Sequence, residues 1–175
     1  ISMAAGLKIS RLEEMLGEKY PIIRIMPNTP VSQGKGMIVY TLSDAVFMDE
    51  AAEFCDALKK GGRIDRIDEN LIDAASAISG CGPAFVYLFA EAMADAGVEC
   101  GLSRAKALEY TAQTLSGAAE LLLNTGKHPG QLKDEVCSPA GSTIEGVKAL
   151  ENGAFRASAM DAVRKAYERT LELGK

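Results

Sequence analysis

The feature that most constrains this fold is a stretch without charge in the middle of the chain. Residues 74–90 contain no acidic or basic side chain. The stretch is shorter than the roughly 20 apolar residues that a membrane-spanning helix needs, and SGCGP at 79–83 interrupts it. We therefore expect a buried helix. Residues 83–96 are apolar on nearly all sides, which in a chain of 175 residues predicts a partner subunit.

The pattern of apolar residues changes near residue 68. Before it, β-branched runs at 22–26, 36–40 and 63–68 alternate with helical segments at 10–17, which Ser10 should cap, and at 49–60. From Leu71 onward the pattern is helical only. This order predicts an α/β segment over residues 1–68 and an all-α domain over 69–175.

Composition excludes several classes of function. The net charge is -5 and the charges are interspersed, so no basic stripe favours nucleic acid. The four cysteines form no CxxC pair and there is a single histidine, which argues against a disulfide framework or a metal site. The start of the chain has no secretory signal pattern, and we predict a cytoplasmic protein.

Two loops have both a structural and a functional interpretation. MPNTP at 26–30 leaves a predicted strand, where α/β proteins bind ligands, but a rigid turn explains it equally well. SPAGST at 138–143 precedes a helix, whose first amides have no partner within the helix. Those amides suit a carboxylate, although an ordinary capped turn is the more frequent reason for such a sequence.

Two polar residues are ambiguous on sequence alone. Glu69 precedes the first long helix and is either a solvated acid of the first turn or, beside a cleft, a partner for a cationic ring nitrogen. His128 lies in a loop, where a single histidine is more often incidental than catalytic. No arrangement of a nucleophile with a histidine base is recognisable around it.

Several stretches together resemble the pyrroline-5-carboxylate reductases. They are MPNTP at 26–30, ENLIDAASAISGCGPAF at 69–85, HPGQLKDEVCSPAGSTIEGVKALE at 128–151 and GAFRASAMDAV at 153–163. The resemblance implies the end of a Rossmann-type domain that binds NADP(H) or NAD(H), followed by a helical dimerisation domain. It also implies hydride transfer to the C=N carbon of a cyclic imine, giving L-proline, in homodimers that often assemble into rings.

The resemblance also assigns site residues. The amides of Ser142 and Thr143 would hold the substrate carboxylate, and the Thr143 hydroxyl would approach the ring nitrogen as the catalytic group. Glu69 and Ser76 would line the substrate pocket. The cofactor cleft would be lined by Met3, Ala4, Ala5 and Asn28.

The sequence departs from the family pattern at three places. Ala140 replaces a glycine, and Glu135 stands where an asparagine is common. The first strand and the glycine-rich loop of the nucleotide domain are absent, so we expect a fragment that dimerises but does not turn over substrate alone. The alternatives are a non-catalytic dimerisation module and a hydroxyacid dehydrogenase. The latter usually carries a lysine on the buried helix, and residues 71–96 contain none.

Overall fold

The computed structural model describes residues 1–174 and contains three strands and eight α-helices within that range. The strands are β1 (Ile23–Met26), β2 (Gly36–Leu42) and β3 (Gly62–Arg66). The helices are α1 (Ile9–Leu16), α2 (Met48–Leu58), α3 (Glu69–Ser79), α4 (Gly82–Glu99), α5 (Arg104–Thr125), α6 (Pro129–Glu135), α7 (Ser142–Asn152) and α8 (Phe155–Leu173).

The three strands form one mixed sheet in the order β1-β2-β3. β1 runs antiparallel to β2, with Ile23 opposite Leu42, and β2 runs parallel to β3, with Ile38 opposite Ile64. Ser2 forms a parallel bridge to Arg24 on the free side of β1. The sheet therefore continues toward the start of the chain, as expected for an α/β domain.

Alternate residues of β1 face two different apolar clusters. Ile23 and Ile25 pack with Tyr40 and Phe54, so this face of the sheet is covered by α2. Met26 packs with Val39 and Ile72 on the opposite face, which α3 covers. Because successive strand residues point to opposite faces, Arg24 lies on the same side as Met26 and faces α3.

The predicted strands and helices are confirmed to within a few residues, with one error at α1. We expected Ser10 to cap this helix, but the helix begins at Ile9 and no side chain of its own segment caps it. Instead the carboxylate of Glu69 accepts the hydrogen bond of the Ile9 amide at 2.6 Å. A cap that comes from a distant residue leaves no local pattern in the sequence.

The chain divides into two compact units. The first contains Ile1–Ala84 together with the chain from Asp161 onward, and the second is Phe85–Met160. This division differs from the predicted boundary between residues 68 and 69, which stays a prediction. In the first unit, the C-terminal end of α8 lies against Gly6, where a Cβ would be 2.7 Å from the Gly174 nitrogen.

The helices of the second unit leave much apolar surface exposed. We expected residues 83–96 to be buried in part by a partner subunit; in the single chain Ala94 is the one buried residue of α4, and Tyr87 and Leu88 are largely exposed. Within residues 1–174, the stretch Glu69–Glu99 is long and apolar enough to cross a membrane, by length and composition only. This is weak evidence for a membrane-spanning helix, because core helices of other proteins can have the same length and composition.

Candidate functional site

The N-terminus of α7 is an open set of backbone donors. The N-cap residue is Gly141, in extended conformation, and no side chain accepts a hydrogen bond at this cap. The helix has 11 residues, so its first amides carry the positive end of the helix dipole. Ser142 and Thr143 stand at the start of the helix and both are exposed. The predicted carboxylate-binding amides are therefore present without a competing cap.

A tight turn precedes these donors. The Gly141 amide donates to the Ser138 carbonyl at 3.0 Å, and Ala140 has a left-handed φ of 55°. A Cβ at position 141 would be 2.3 Å from the Ser138 Oγ and 3.1 Å from the Ser138 carbonyl oxygen, so a larger residue here would require the Ser138 side chain to rotate. Ala140 adopts a backbone conformation that favours glycine, and that the loop keeps the family's fold with alanine here stays a prediction.

Met3 and Ala4, predicted to meet the cofactor, line open grooves in the first unit. Both line a groove of about 480 Å³ with the apolar side chains of Leu12 and Leu16. Met3 also lines a second groove of about 340 Å³ with Pro27. Ala5, in the following turn, is exposed. The lining is uncharged at these points, so it suits a flat ring better than a phosphate.

Asn28, also predicted on the cofactor side, has both ends of its amide bonded within the chain. Its Nδ2 donates to the Ser79 carbonyl at 2.9 Å, and its Oδ1 accepts from the Met37 amide at 2.9 Å. Asn28 therefore joins the exit of β1 to the start of β2 and the end of α3. Its direct contact with a cofactor stays a prediction.

Glu69 and Ser76, predicted in the substrate pocket, both lie on α3, and Ser76 is buried. The Glu69 side chain is 29% exposed and lies 3.5 Å from Arg24 Nη1. Since the same carboxylate oxygen accepts the Ile9 amide, Glu69 connects α1, β1 and α3. Whether it also contacts substrate stays a prediction.

Arg24 is a charged residue that the sequence interpretation missed. It is fully buried, and its Nη2 donates to Asp73 Oδ1 at 2.6 Å. Removing a carboxylate from such a buried pair typically costs about 3–5 kcal/mol. A detectable signal existed, because an arginine inside the β-branched run IIRIM needs a buried partner.

In the second unit, His128 and Glu135 have structural partners. His128 Nδ1 accepts the Gly130 amide at 3.1 Å and so caps α6. Glu135 Oε1 accepts from Lys127 Nζ at 2.7 Å and from Gln131 at 3.2 Å. The hydrogen bond from Lys127 lowers the pKa of the Glu135 carboxyl below its ordinary value. The acid that departs from the family pattern is therefore paired with a cation.

The predicted site residues fall into two groups. Met3, Ala4, Ala5, Asn28, Glu69 and Ser76 belong to the first unit, and Ser142 and Thr143 belong to the second. The four cysteines are free thiols, and no cluster of three or more His, Cys, Asp or Glu side chains suited to a metal occurs between residues 1 and 174.

Comparison with known proteins gives consistent matches. Residues 69–173 match the family described as pyrroline-5-carboxylate reductase dimerisation. The chain is 44% identical over 175 residues to a pyrroline-5-carboxylate reductase of Arabidopsis thaliana and covers 63% of it. It is 42% identical to the Escherichia coli enzyme of the same name and covers 65% of it. In both cases all of this chain is aligned.

A solved structure extends the comparison to the fold. The crystal structure of Plasmodium falciparum pyrroline carboxylate reductase with NADP bound aligns with a TM-score of 0.94 at 40% identity. The alignment covers 99% of this chain and 70% of that chain. The predicted fold class is confirmed: the end of a Rossmann-type domain is followed by a helical dimerisation domain.

Proposed function

The chain belongs to the pyrroline-5-carboxylate reductase family, and we propose that it is the C-terminal part of an enzyme that reduces Δ1-pyrroline-5-carboxylate to L-proline. The chain spans about 63% of the length of the first curated relatives it matches, so activity belongs to the longer protein. The observation that carries the proposal is the uncapped N-terminus of α7 in a chain with these relatives.

The proposed reaction makes two demands on the residues of α7. The substrate is a small anion, and the open amides at Ser142 and Thr143 offer donors and a positive dipole end for its carboxylate. A proton must also reach the ring nitrogen of the substrate, and we assign this proton transfer to the Thr143 hydroxyl. Glu69 and Ser76 are assigned to the pocket wall.

The cofactor, NADPH or NADH, would supply the hydride to the imine carbon. In this chain, the residues that fit it are Met3, Ala4 and Ala5, because Met3 and Ala4 line apolar grooves that suit a flat ring. Asn28 would contribute by holding the strand exit in place through its two amide hydrogen bonds. The protein's part is to orient this ring and exclude water.

The partner is a second copy of the same chain. The exposed apolar side chains of α4 and α5, including Tyr87, Leu88 and Tyr110, support a homodimer through the helical part. Assembly of dimers into a ring and a cytoplasmic location without membrane insertion complete the proposal. Covering α4 in a dimer would account for much of the apolar stretch Glu69–Glu99.

The proposal is tested with the full-length protein that contains this chain. NADPH or NADH oxidation is followed at saturating cofactor with Δ1-pyrroline-5-carboxylate, and with a hydroxyacid as the alternative substrate. Thr143→Ala should lower kcat by roughly a hundredfold, as loss of a proton-transfer group does, while Thr143→Ser should retain most activity. Because Thr143 is exposed, both variants should remain folded dimers.

Three results would contradict the proposal. Turnover of the hydroxyacid alone would favour the dehydrogenase alternative. A folded dimer without turnover of either substrate would favour a dimerisation module. Loss of the dimer in Thr143→Ala would identify Thr143 as structural. The bare 175-residue chain should form dimers and give no turnover.

A further inference from the structure

We infer that Arg24 is a positioning residue that holds α3, and with it Glu69 and Ser76, in register with β1. The inference rests on the proposed function, because it concerns how the pocket wall of that enzyme is held in place. It assigns no contact between Arg24 and the substrate. Arg24 would act only through the two carboxylates that it meets on α3.

The backbone of Arg24 is fixed on both sides. The Ser2 amide donates to the Ile23 carbonyl at 2.9 Å, and the Ile25 amide donates to the Ser2 carbonyl at 2.9 Å. Arg24 itself is opposite Thr41 of β2. The side chain therefore leaves a strand that is paired along both edges, and its direction toward α3 is set by the pleat.

The guanidinium group meets two carboxylates, one for each terminal nitrogen. Nη2 donates to Asp73 at 2.6 Å, and Nη1 lies 3.5 Å from Glu69 Oε1. Nε has no hydrogen-bond partner among the described residues. A planar fork reaches two acceptors at once, which the single ammonium of a lysine does not reproduce. Arg24 thus fixes the N-terminal half of α3 at two points.

The other end of α3 is tied to the same strand segment. Asn28, beyond the end of β1, donates to the carbonyl of Ser79, the last residue of the helix. Ser76 lies between the two attachments, and Glu69 is itself one of them. A helix fixed at both ends has little freedom to slide. Loss of the attachment at Arg24 should therefore shift Glu69 and Ser76 from their positions while both side chains stay present.

Two substitutions of Arg24 in the full-length protein separate charge from geometry. Arg24→Met removes both ion pairs and leaves Asp73 buried without a cation. Arg24→Lys restores a cation for Asp73 but lacks a second nitrogen to contact Glu69. We expect Arg24→Lys to recover most of the melting temperature lost in Arg24→Met. Its KM for pyrroline-5-carboxylate should still be about tenfold above that of the unaltered protein.

Ser43→Ala is the matched control. The Ser43 hydroxyl is buried, accepts the Ile22 amide at 2.9 Å and donates to the Tyr20 carbonyl at 3.2 Å. Its loss removes a buried polar link to the segment that enters β1, and both of these partners lie outside α3. We expect a lower melting temperature and an unchanged KM for the imine. A stability loss alone is thereby separated from a displaced α3.

A second readout does not depend on turnover. The Ile9 amide donates to Glu69 at 2.6 Å, so its hydrogen exchange reports where Glu69 lies. In Arg24→Lys this amide should exchange about tenfold faster, whereas in Ser43→Ala it should remain protected. Exchange is measured on the full-length protein by NMR or by mass spectrometry of a peptide that contains Ile9.

The possible outcomes are distinct. A raised KM with faster Ile9 exchange in Arg24→Lys supports the inference. Normal KM and exchange in Arg24→Lys would overturn it, because charge alone would then suffice. The same KM change in Ser43→Ala would also overturn it. An unaltered protein that does not reduce the imine contradicts the proposed function, and the positioning role in that reaction is rejected with it.

Discussion

At the scale of single residues, the turn before α7 places an alanine, Ala140, in a backbone conformation that favours glycine. Ala140 adopts a φ of 55°, and a Cβ at position 141 would displace the Ser138 side chain. The sequence indicated that alanine is small enough for this loop. It did not indicate the left-handed conformation, because φ depends on how the turn closes onto Ser138 rather than on side-chain size.

The strain at Ala140 predicts an unusual response to glycine. Left-handed backbone costs an alanine about 1–2 kcal/mol, and the greater freedom of glycine in the unfolded chain offsets about 0.5–1 kcal/mol of the relief. Ala140→Gly should therefore leave stability unchanged or raise it by up to about 1.5 kcal/mol. Urea unfolding measures the difference.

Ala149→Gly is the control for this prediction. Ala149 is exposed in the interior of α7, where the same substitution should destabilise by about 1 kcal/mol. Equal losses of stability in the two variants would show that the turn at 140 is not strained.

At the scale of elements, α3 is held by a charged residue that is distant in the sequence, Arg24 of β1. The strands were predictable because β-branched runs are local signals, and α5 was predictable from the Ser103 cap and the Gly126 stop. The start of α1 was not, since its cap is Glu69. The partnership of Arg24 with Asp73 was not predictable either, because pairing across an α/β layer depends on tertiary packing.

This partnership predicts a large cost for one substitution. Asp73→Ala should destabilise the protein by about 3–5 kcal/mol, because the buried Arg24 guanidinium would keep only its longer contact, 3.5 Å, with the Glu69 carboxylate. Asp56→Ala, which breaks an exposed pair with Lys59, should change stability by less than about 1 kcal/mol. Chemical denaturation of both variants compares them, and similar values would argue against a structural role for the buried pair.

At the scale of the whole molecule, the helices of the second unit do not form a closed core. α5 buries only Ala107 and Thr111 among its 22 residues. The sequence predicted a partner from the apolar residues around α4. It could not predict which residues remain uncovered, because apolar periodicity does not distinguish contacts within a chain from contacts between chains.

We therefore predict that a charge on α4 weakens the dimer. Leu88 is 69% exposed, and burying a leucine contributes about 1.5–3 kcal/mol. Leu88→Glu, present in both copies, should raise the dimer dissociation constant by at least about tenfold. Sedimentation equilibrium measures it.

Met15→Glu provides the comparison for Leu88→Glu. Met15 is 66% exposed on α1, in the other unit, and its substitution should leave the dimer intact. A dimer that Leu88→Glu does not weaken would place the interface elsewhere.

The close approach of Gly6 and Gly174 has a consequence for synthesis. The first unit draws on both ends of the chain, with Phe85–Met160 between them. On the ribosome, its early strands emerge well before the segment of α8 that contacts Gly6. The unit therefore completes its packing only after Phe85–Met160 and the last part of α8 have been synthesised. Until then, Gly6 and the residues around it lack the contact with the end of α8 that they have in the folded unit.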